Sequence, residues 1–470
     1  MSSWTRAFMA ALVVVALAAA GLFYLAHRNA ASAADGGGLA FDLSGPSAQL
    51  GASSDSELVD LALQKLETNY YRPIDPQTPI AGERKALIGI LQHAVPDATL
   101  PQETATGTQS DDAVLAEKLL ADAKDRYAKR LGPSGDSELT QAALRGIMSS
   151  VKDPYTEYMS PHEAQSLEEL LSGGDFGGIG VYIDEAKDGL ITIYPIEGTP
   201  AARAGMKPQE VLDSVDGHAI KGVPLSSVEG LIRGPAGTKV LLDAHEPAHA
   251  GTPATAEHSY SIVRDVIHVP TVLAKKEGDI EYIRLADFGT TSADEVHRAL
   301  LQGKTNGAKG YILDLRDNGG GLLRAAVDIS SFIIPQGTIV STIDRAGNRD
   351  VESANGDAIP NLGPIVVLVN KYTASASEIT SGALQDYRAA TIIGTKTFGK
   401  GVVQNVYRMP DQGSLKITTA RYVTPLGRDI QHRGITPDVV IEQDPLIWPG
   451  STNDKQLEAA KARLQRLIRS

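Results

Sequence analysis

From Ile280 to Ile393 short apolar runs alternate with amphipathic stretches, and this alternation constrains the chain more than any other feature. Ile280–Leu285, Gly310–Leu315, Ile365–Val369 and Ala390–Ile393 read as strands. Ser292–Leu301, Leu322–Ile333 and Ser375–Tyr387 read as the helices between them. A strand–helix–strand series runs its strands parallel through right-handed crossovers, so a largely parallel sheet is expected. Functional groups on such sheets collect at the carboxyl ends of the strands. Three segments bearing Gly or Ser follow strands there, at 317–321, 371–377 and 394–401.

The rest of the chain has other periods. Residues 56–93 and 113–170 read as helical, with Leu58, Leu61, Leu63 and Leu66, and Leu115, Leu119, Leu120 and Ala123, near helical spacing. Pro96–Asp112 is a polar loop between them. Glu57–Leu91 and Leu115–Met148 follow a similar order of helix, tyrosine, spacer and Ala-Leu-x-Gly-Ile, which duplication and chance explain equally well. From Gly173 short strands take over: Gly180–Ile183, Leu190–Ile193, Val211–Val215, Val240–Leu242 and Ser259–Val263, with helices at Pro200–Ala204 and Ser226–Ile232.

Ala7–Ala26 is a run of twenty uncharged residues, almost all apolar or small. As a helix it would reach about 30 Å, enough to span a bilayer core. Ala31-Ser32-Ala33 also offers a small-x-small cleavage pattern. The length favours an uncleaved anchor over a cleaved signal peptide, and either sends the bulk of the chain out of the cytoplasm. Gly36–Ser54, rich in Gly, Ser and Ala, reads as linker.

Composition excludes whole classes. The 470 residues imply three or so domains. The absence of cysteine removes thiol catalysis, iron–sulfur ligation, disulfides and lipid anchoring on Cys. A net charge of −13 argues against nucleic acid as the main partner. Two motif matches fail. His245-Glu246-Pro247-Ala248-His249 has the letters of a zinc peptidase, but Pro247 and the following Gly and Pro oppose the helix that chemistry needs. Gly394–Gly401 nearly spells a P-loop, but Gly401 stands where the Mg²⁺-binding Ser or Thr belongs, and a strand follows instead of a helix. No metal or cofactor is expected.

Ser375 lies where a strand meets a helix and would present its hydroxyl beside free backbone amides. Taken alone, Ser375-x-x-Glu378 is explained by helix capping. Its company changes the balance. Asp314-Leu315-Arg316-Asp317-Asn318-Gly319-Gly320-Gly321 sits at another strand end, and Lys400 stands between Gly399 and Gly401. Burial disfavours the charged form of a lysine, so Lys400 can serve as a base. Lys396 competes for that role but lacks flanking glycines and a Gln four residues on.

These three segments closely resemble the C-terminal processing peptidases, or tail-specific proteases. Lys400 lies 25 positions after Ser375 and Gln404 lies 4 after Lys400, as in that family. Asp153-Pro154-Tyr155-Thr156, Gly198-Thr199-Pro200-Ala201 and Thr424–Arg428 through Gly434–Asp438 match as well. The resemblance runs over roughly residues 140–442. It implies a multidomain α/β protein with a ClpP/crotonase-like α/β catalytic core. It also implies a catalytic Ser375 nucleophile, Lys400 as general base, Gln404 holding the lysine amine, and backbone amides of Gly320 and Ala376 as oxyanion hole. Residues 173–264 resemble the family's PDZ domain, with Gly177, Gly178, Ile179 and Gly180 gripping a peptide C-terminus. Gln209-Glu210 replaces the family's usual Gly-Asp there.

The expected division is a signal or membrane anchor (1–34), a linker (35–54), a helical region (55–172) and the PDZ domain (173–264). The serine peptidase domain (265–445, with 140–172 packing on it) and a C-terminal helix (446–470) complete it. The function implied is a serine endopeptidase that reads C-terminal tails of polypeptide substrates, acts on exported proteins in the periplasm or outside the cell, and touches the membrane through its N-terminal helix. The alternatives are a catalytically silent PDZ adaptor and a latent peptidase awaiting a partner. A homo-oligomer or regulatory adaptor is compatible with either. Asn453–Arg469, with Leu457, Ala460, Leu464 and Leu467 on one side, is expected to pack on the core or on another subunit.

Overall fold

The computed structural model describes residues 39–41 and 54–469, apart from short stretches at 172–175, 186–189, 197, 224, 248–254, 256–257, 268–270, 445–446, 448 and 452. The expected anchor at 1–34 lies outside the described residues. Among the described residues no helix is long and apolar enough to cross a membrane. Residues 174–269 form one compact unit, and residues 35–173 with 270–470 form a larger one.

The larger unit starts at β1 (Leu39–Phe41) and continues into four helices: α1 (Asp55–Asn69), α2 (Gln77–Ala94), α3 (Gln109–Leu131) and α4 (Gly135–Ser149). Ser54 opens α1 because its hydroxyl accepts the Glu57 amide while the Glu57 carboxylate accepts its own amide. Helices α2 and α4 cross at Gly82 and Gly146. A Cβ on Gly82 would lie 2.4 Å from the Gly146 carbonyl oxygen, so glycine is what permits this approach. The stretch 113–170, expected to be helical, breaks at Gly132 and again at Asp153. There the Asp153 carboxylate accepts the Tyr155 amide (3.1 Å) and the Thr156 hydroxyl (2.8 Å), turning the chain into β2 (Glu157–Met159). Helix α5 (Pro161–Leu171) follows.

The smaller unit runs β3 (Phe176–Gly178), β4 (Val181–Glu185), β5 (Ile191–Pro195), α6 (Pro200–Arg203), β6 (Glu210–Val215), β7 (His218–Ala219), α7 (Leu225–Ile232), β8 (Lys239–His245), β9 (His258–Val263) and β10 (Asp265–Ile267). Its main sheet is antiparallel in the order β4-β5-β6-β8-β9, and β3 pairs with β10 apart from it. Ile179, Ile193, Val215, Val228 and Leu242 fill its core. Buried Arg264 donates to the carbonyls of Leu231 and Ile232, capping the end of α7. His245 ends β8 with its Nδ1 2.6 Å from the Asp213 carboxylate, so the zinc-peptidase letters begin on a strand.

The remaining elements are β11 (Val272–Glu277), β12 (Ile280–Leu285), α8 (Ser292–Thr305), β13 (Gly310–Asp314), α9 (Leu323–Ser331), β14 (Thr338–Ile343), β15 (Arg349–Ser353), β16 (Ile365–Val369), α10 (Ala376–Asp386), β17 (Ala390–Gly394), β18 (Val402–Arg408), β19 (Ser414–Val423), β20 (Val439–Val440) and α11 (Lys455–Arg469). One sheet runs β11-β12-β13-β16-β17-β20, parallel from β12 onward with β11 antiparallel at its edge. Strands β13 and β16 are buried at every position, as central parallel strands must be when both faces are covered. Residues of α8, α9 and α10 cover one face. On the other, Leu457, Ala460 and Leu464 of α11 pack against Ile312, Val366 and Leu368, so the C-terminal helix joins the core. A second sheet, β1-β18-β19-β14-β15 with β2 on β19, is antiparallel apart from β1. The loop from β17 into β18 carries residues 395–401 from one sheet to the other.

Candidate active site

Ser375 closes the turn from β16 into α10 with φ 54° and ψ −114°. That region is unfavourable for a residue with a Cβ, so the surroundings must hold it there. They do so on several sides. The Ala374 amide and the Ser377 hydroxyl both donate to the Asn318 carbonyl (3.0 Å each). The Ser375 amide donates to the Glu378 carboxylate (2.9 Å). Ser375 and Glu378 stand in capping-box relation, but only the carboxylate arm is firm. The Ser375 hydroxyl is buried without a hydrogen bond of full geometry among the described residues. Leaving a buried hydroxyl unpaired costs about 1–3 kcal/mol, which helix capping alone does not justify.

Glu378 does more than cap. Its two oxygens accept the amides of Ser375, Gly399 (2.8 Å) and Lys400 (2.9 Å) and the hydroxyl of Thr397. Burial raises its pKa, and those donors pull it back down. The carboxylate thus ties the start of α10 to the 395–401 loop. Thr397 in turn accepts the Ile435 amide (2.6 Å), fixing the loop's far side. Gly399 (φ 93°) is needed because a Cβ would fall 2.8 Å from the Gly434 nitrogen.

Lys400 is 1% exposed, and its Nζ lies 3.7 Å from the centroid of the Tyr155 ring. Lys396 is exposed and outside this pocket. The buried Tyr422 hydroxyl reaches the carbonyls of both Ser375 (3.1 Å) and Lys400, bridging the main chains of the two residues. Its pKa lies well above the ordinary phenol range, chiefly through burial and then through Glu378 and Tyr155. Gln404 is buried on β18. Its Nε2 donates to Thr418 Oγ1 (3.2 Å), and its Oε1 has no hydrogen-bond partner among the described residues. An open, buried acceptor on the third residue of β18, four positions after Lys400, suits an amine.

Gly320 (φ 107°) presses against Ser375: a Cβ there would lie 2.9 Å from both the Ala376 nitrogen and Ser375 Cβ. The backbones of the two expected oxyanion donors are therefore adjacent. The Gly320 amide, however, is donated to Asn318 Oδ1 (2.9 Å) in this conformation. Its carbonyl accepts the Phe288 amide (2.9 Å), so the loop is held from both sides. Beside Phe288, the carboxyl of Asp287 is pushed up to about 6, mainly by burial. Upstream, buried Arg316 binds Asp314 (2.6 Å) and Asp454 (2.7 Å), locking the root of the same loop to the start of α11.

In the smaller unit, Gly177 and Gly178 pair with Val266 and Asp265 as part of β3. The Ile179 carbonyl accepts the Ala201 amide (2.8 Å), and Gly180 (φ 75°) turns the chain into β4. Strand β4 ends its sheet, with one edge unpaired among the described residues.

Sequence reasoning brought Ser375, Lys400, Gln404, Gly320 and Ala376 to one place but missed Tyr422, Thr418 and Asn318, and saw in Glu378 only a cap. Tyr155 stood in a matched motif with no role attached. Tyr422 gave no signal, since its hydroxyl acts on main-chain carbonyls that no side-chain pattern reveals.

The peptidase family S41 profile matches residues 279–441, and a PDZ domain profile matches residues 193–244. A carboxyl-terminal-processing protease of Synechocystis sp. is 38% identical over 346 residues, covering 72% of this chain and 79% of that protein. A carboxy-terminal-processing protease of Bartonella bacilliformis is 40% identical over 314 residues, covering 66% of this chain and 70% of that protein. The solved photosystem II D1 C-terminal processing protease aligns at 27% identity and a TM-score of 0.46, over 88% of this chain and 98% of that one. With identity of this extent across most of both sequences, the chain belongs to the carboxyl-terminal-processing serine proteases of peptidase family S41 and carries a PDZ domain.

Proposed function

We propose that this serine protease works through a Ser375–Lys400 dyad. Lys400 Nζ takes the proton as Ser375 Oγ bonds to the peptide carbonyl carbon, and Gln404 Oε1 holds the amine. The amides of Ala376 and Gly320 receive the oxyanion, each such donor being worth roughly 3–4 kcal/mol. The amine leaves with the proton, and water releases the acyl group from Ser375. The observation that carries this reading is the shared Glu378 carboxylate, which binds the Ser375 and Lys400 amides at 2.9 Å each and so fixes one residue against the other.

Residues 173–264 are assigned the tail-reading role and 265–445 the cleavage. The free edge of β4 suits an added peptide strand, with the carboxylate at Gly177–Gly180. The anchor at 1–34 and action on exported proteins complete the reading. The presence of both Ser375 and Lys400 disfavours a silent adaptor. The latent-peptidase reading has one observation in its favour: the Gly320 amide is already committed to Asn318, so the loop must shift before it can serve.

The test is cleavage of an unstructured polypeptide with an apolar C-terminus, offered with a free carboxylate or as the amide. The free tail should be cut at least tenfold faster, and Ser375→Ala should cut neither. Equal cleavage of both tails overturns the tail-reading role, and activity in Ser375→Ala overturns the nucleophile.

A further inference from the structure

Tyr155 lies in the turn before β2, outside the residues that match the family S41 profile. Its ring is buried, and its face receives Lys400 Nζ at 3.7 Å. A run of hydrogen bonds sets its register against the site. The Asp153 carboxylate accepts the Tyr155 amide (3.1 Å) and the Thr156 hydroxyl (2.8 Å). Thr156 Oγ1 accepts the Thr418 amide (3.1 Å), and Thr418 Oγ1 accepts Gln404 Nε2 (3.2 Å). The ring that meets the lysine and the glutamine on β18 are thus held by one connected frame.

Two forces act on the amine. Burial favours its neutral form. A face-on aromatic ring favours the ammonium, most strongly where water is excluded. Among the described residues, titratable groups that bond the Lys400 main chain are Glu378 on α10, whose carboxylate accepts the lysine's own amide, and Tyr422 on β19, whose hydroxyl reaches its carbonyl. His432 and Arg433 bring main chain to Gly399 but keep exposed side chains.

We infer that Tyr155 is a positioning residue: its ring face aims the Lys400 amine and stabilises the ammonium that forms when Lys400 accepts the Ser375 proton. The proton passes from Ser375 Oγ to Lys400 Nζ as the C–O bond forms, and on to the departing amine nitrogen as the C–N bond breaks. This rests on the Ser375–Lys400 reading.

The experiment is kcat/KM against pH for the full chain as wild type, Tyr155→Phe, Tyr155→Leu, Tyr155→Met and Lys400→Ala. Leu and Met keep the pocket apolar but remove the ring. Either should move the acid limb to lower pH by about one unit, because the amine loses a face-on ring that favours its charged form. The plateau should fall about tenfold or more as the aim is lost. Tyr155→Phe should hold the wild-type limb and recover most of that plateau. A lower plateau with an unmoved limb in Leu or Met, or an equal shift in Phe, overturns the inference. Should Leu fail to fold by circular dichroism, Met decides. Substantial activity in Lys400→Ala overturns the dyad reading itself; an inactive Lys400→Ala with an unmoved Leu limb overturns only the role of Tyr155.

Discussion

Among the described residues of the larger unit two glutamates are buried completely, and they are opposites. Glu378, at the start of α10, has donors on both oxygens. Glu83, on α2 at the crossing with α4, has none among the described residues on either oxygen. Both are raised in pKa by burial. At Glu378 the donors counteract that shift, and the carboxylate becomes a clamp joining the Ser375 turn to the 395–401 loop. At Glu83 no hydrogen bond among the described residues counteracts it, and burial favours the protonated carboxyl. A buried acid therefore marks function only when its neighbours are arranged to receive it.

The largest consequence is expected at the clamp. Glu378→Ala should lower kcat/KM by roughly 10²-fold or more, since misplacement of about 1 Å has that effect. Retention of activity within threefold would make the clamp ornamental. The next concerns Glu83→Leu, which removes an unpaired buried polar group. It should raise unfolding free energy by about 1–3 kcal/mol in urea titrations, with cleavage rates unaltered. Destabilisation instead would mean that Glu83 has a partner in solution.

The pH dependence sharpens the contrast further. Native Glu83 holds a proton that the unfolded chain has lost above the ordinary carboxyl range near 4.5. Stability from this group is thus complete below that range and is lost as pH rises toward the elevated native value. Glu83→Gln should flatten that decline, as seen by denaturation across the pH range above 4.5. Asp287 should give the smallest effect, a decline confined between its unfolded value of 3.8 and about 6. Asp287→Asn should remove it, and an unchanged slope would place the titrating group elsewhere.

The parallel sheet was legible because buried strands such as Ile365–Val369 leave an uninterrupted apolar run, and the intervening helices leave a different period. Of the second sheet, only the strand after Gly401 was. Strand β14 has no exposed position and β15 is exposed almost throughout, so neither shows the alternation that marks a strand, and β19 reads as an ordinary mixed segment until its partners are known. The site was legible where glycines and a serine punctuate strand ends. Tyr155 and Tyr422 were hidden because each acts across more than 20 positions of sequence, one through a ring face on Lys400 and the other through the carbonyls of Ser375 and Lys400. The break at Asp153 was hidden for a local reason, since helical spacing resumes after it.

The central claim is that Ser375 and Lys400 act as one unit. The direct measurement is the turnover of an unstructured, apolar-tailed polypeptide by Ser375→Ala, Lys400→Ala and the double variant. Residues that act as a unit are not additive, so each single variant should lose about as much as the double. A Lys400→Ala enzyme that keeps a tenth or more of wild-type turnover, or a double variant whose loss is the product of the two single losses, would contradict it.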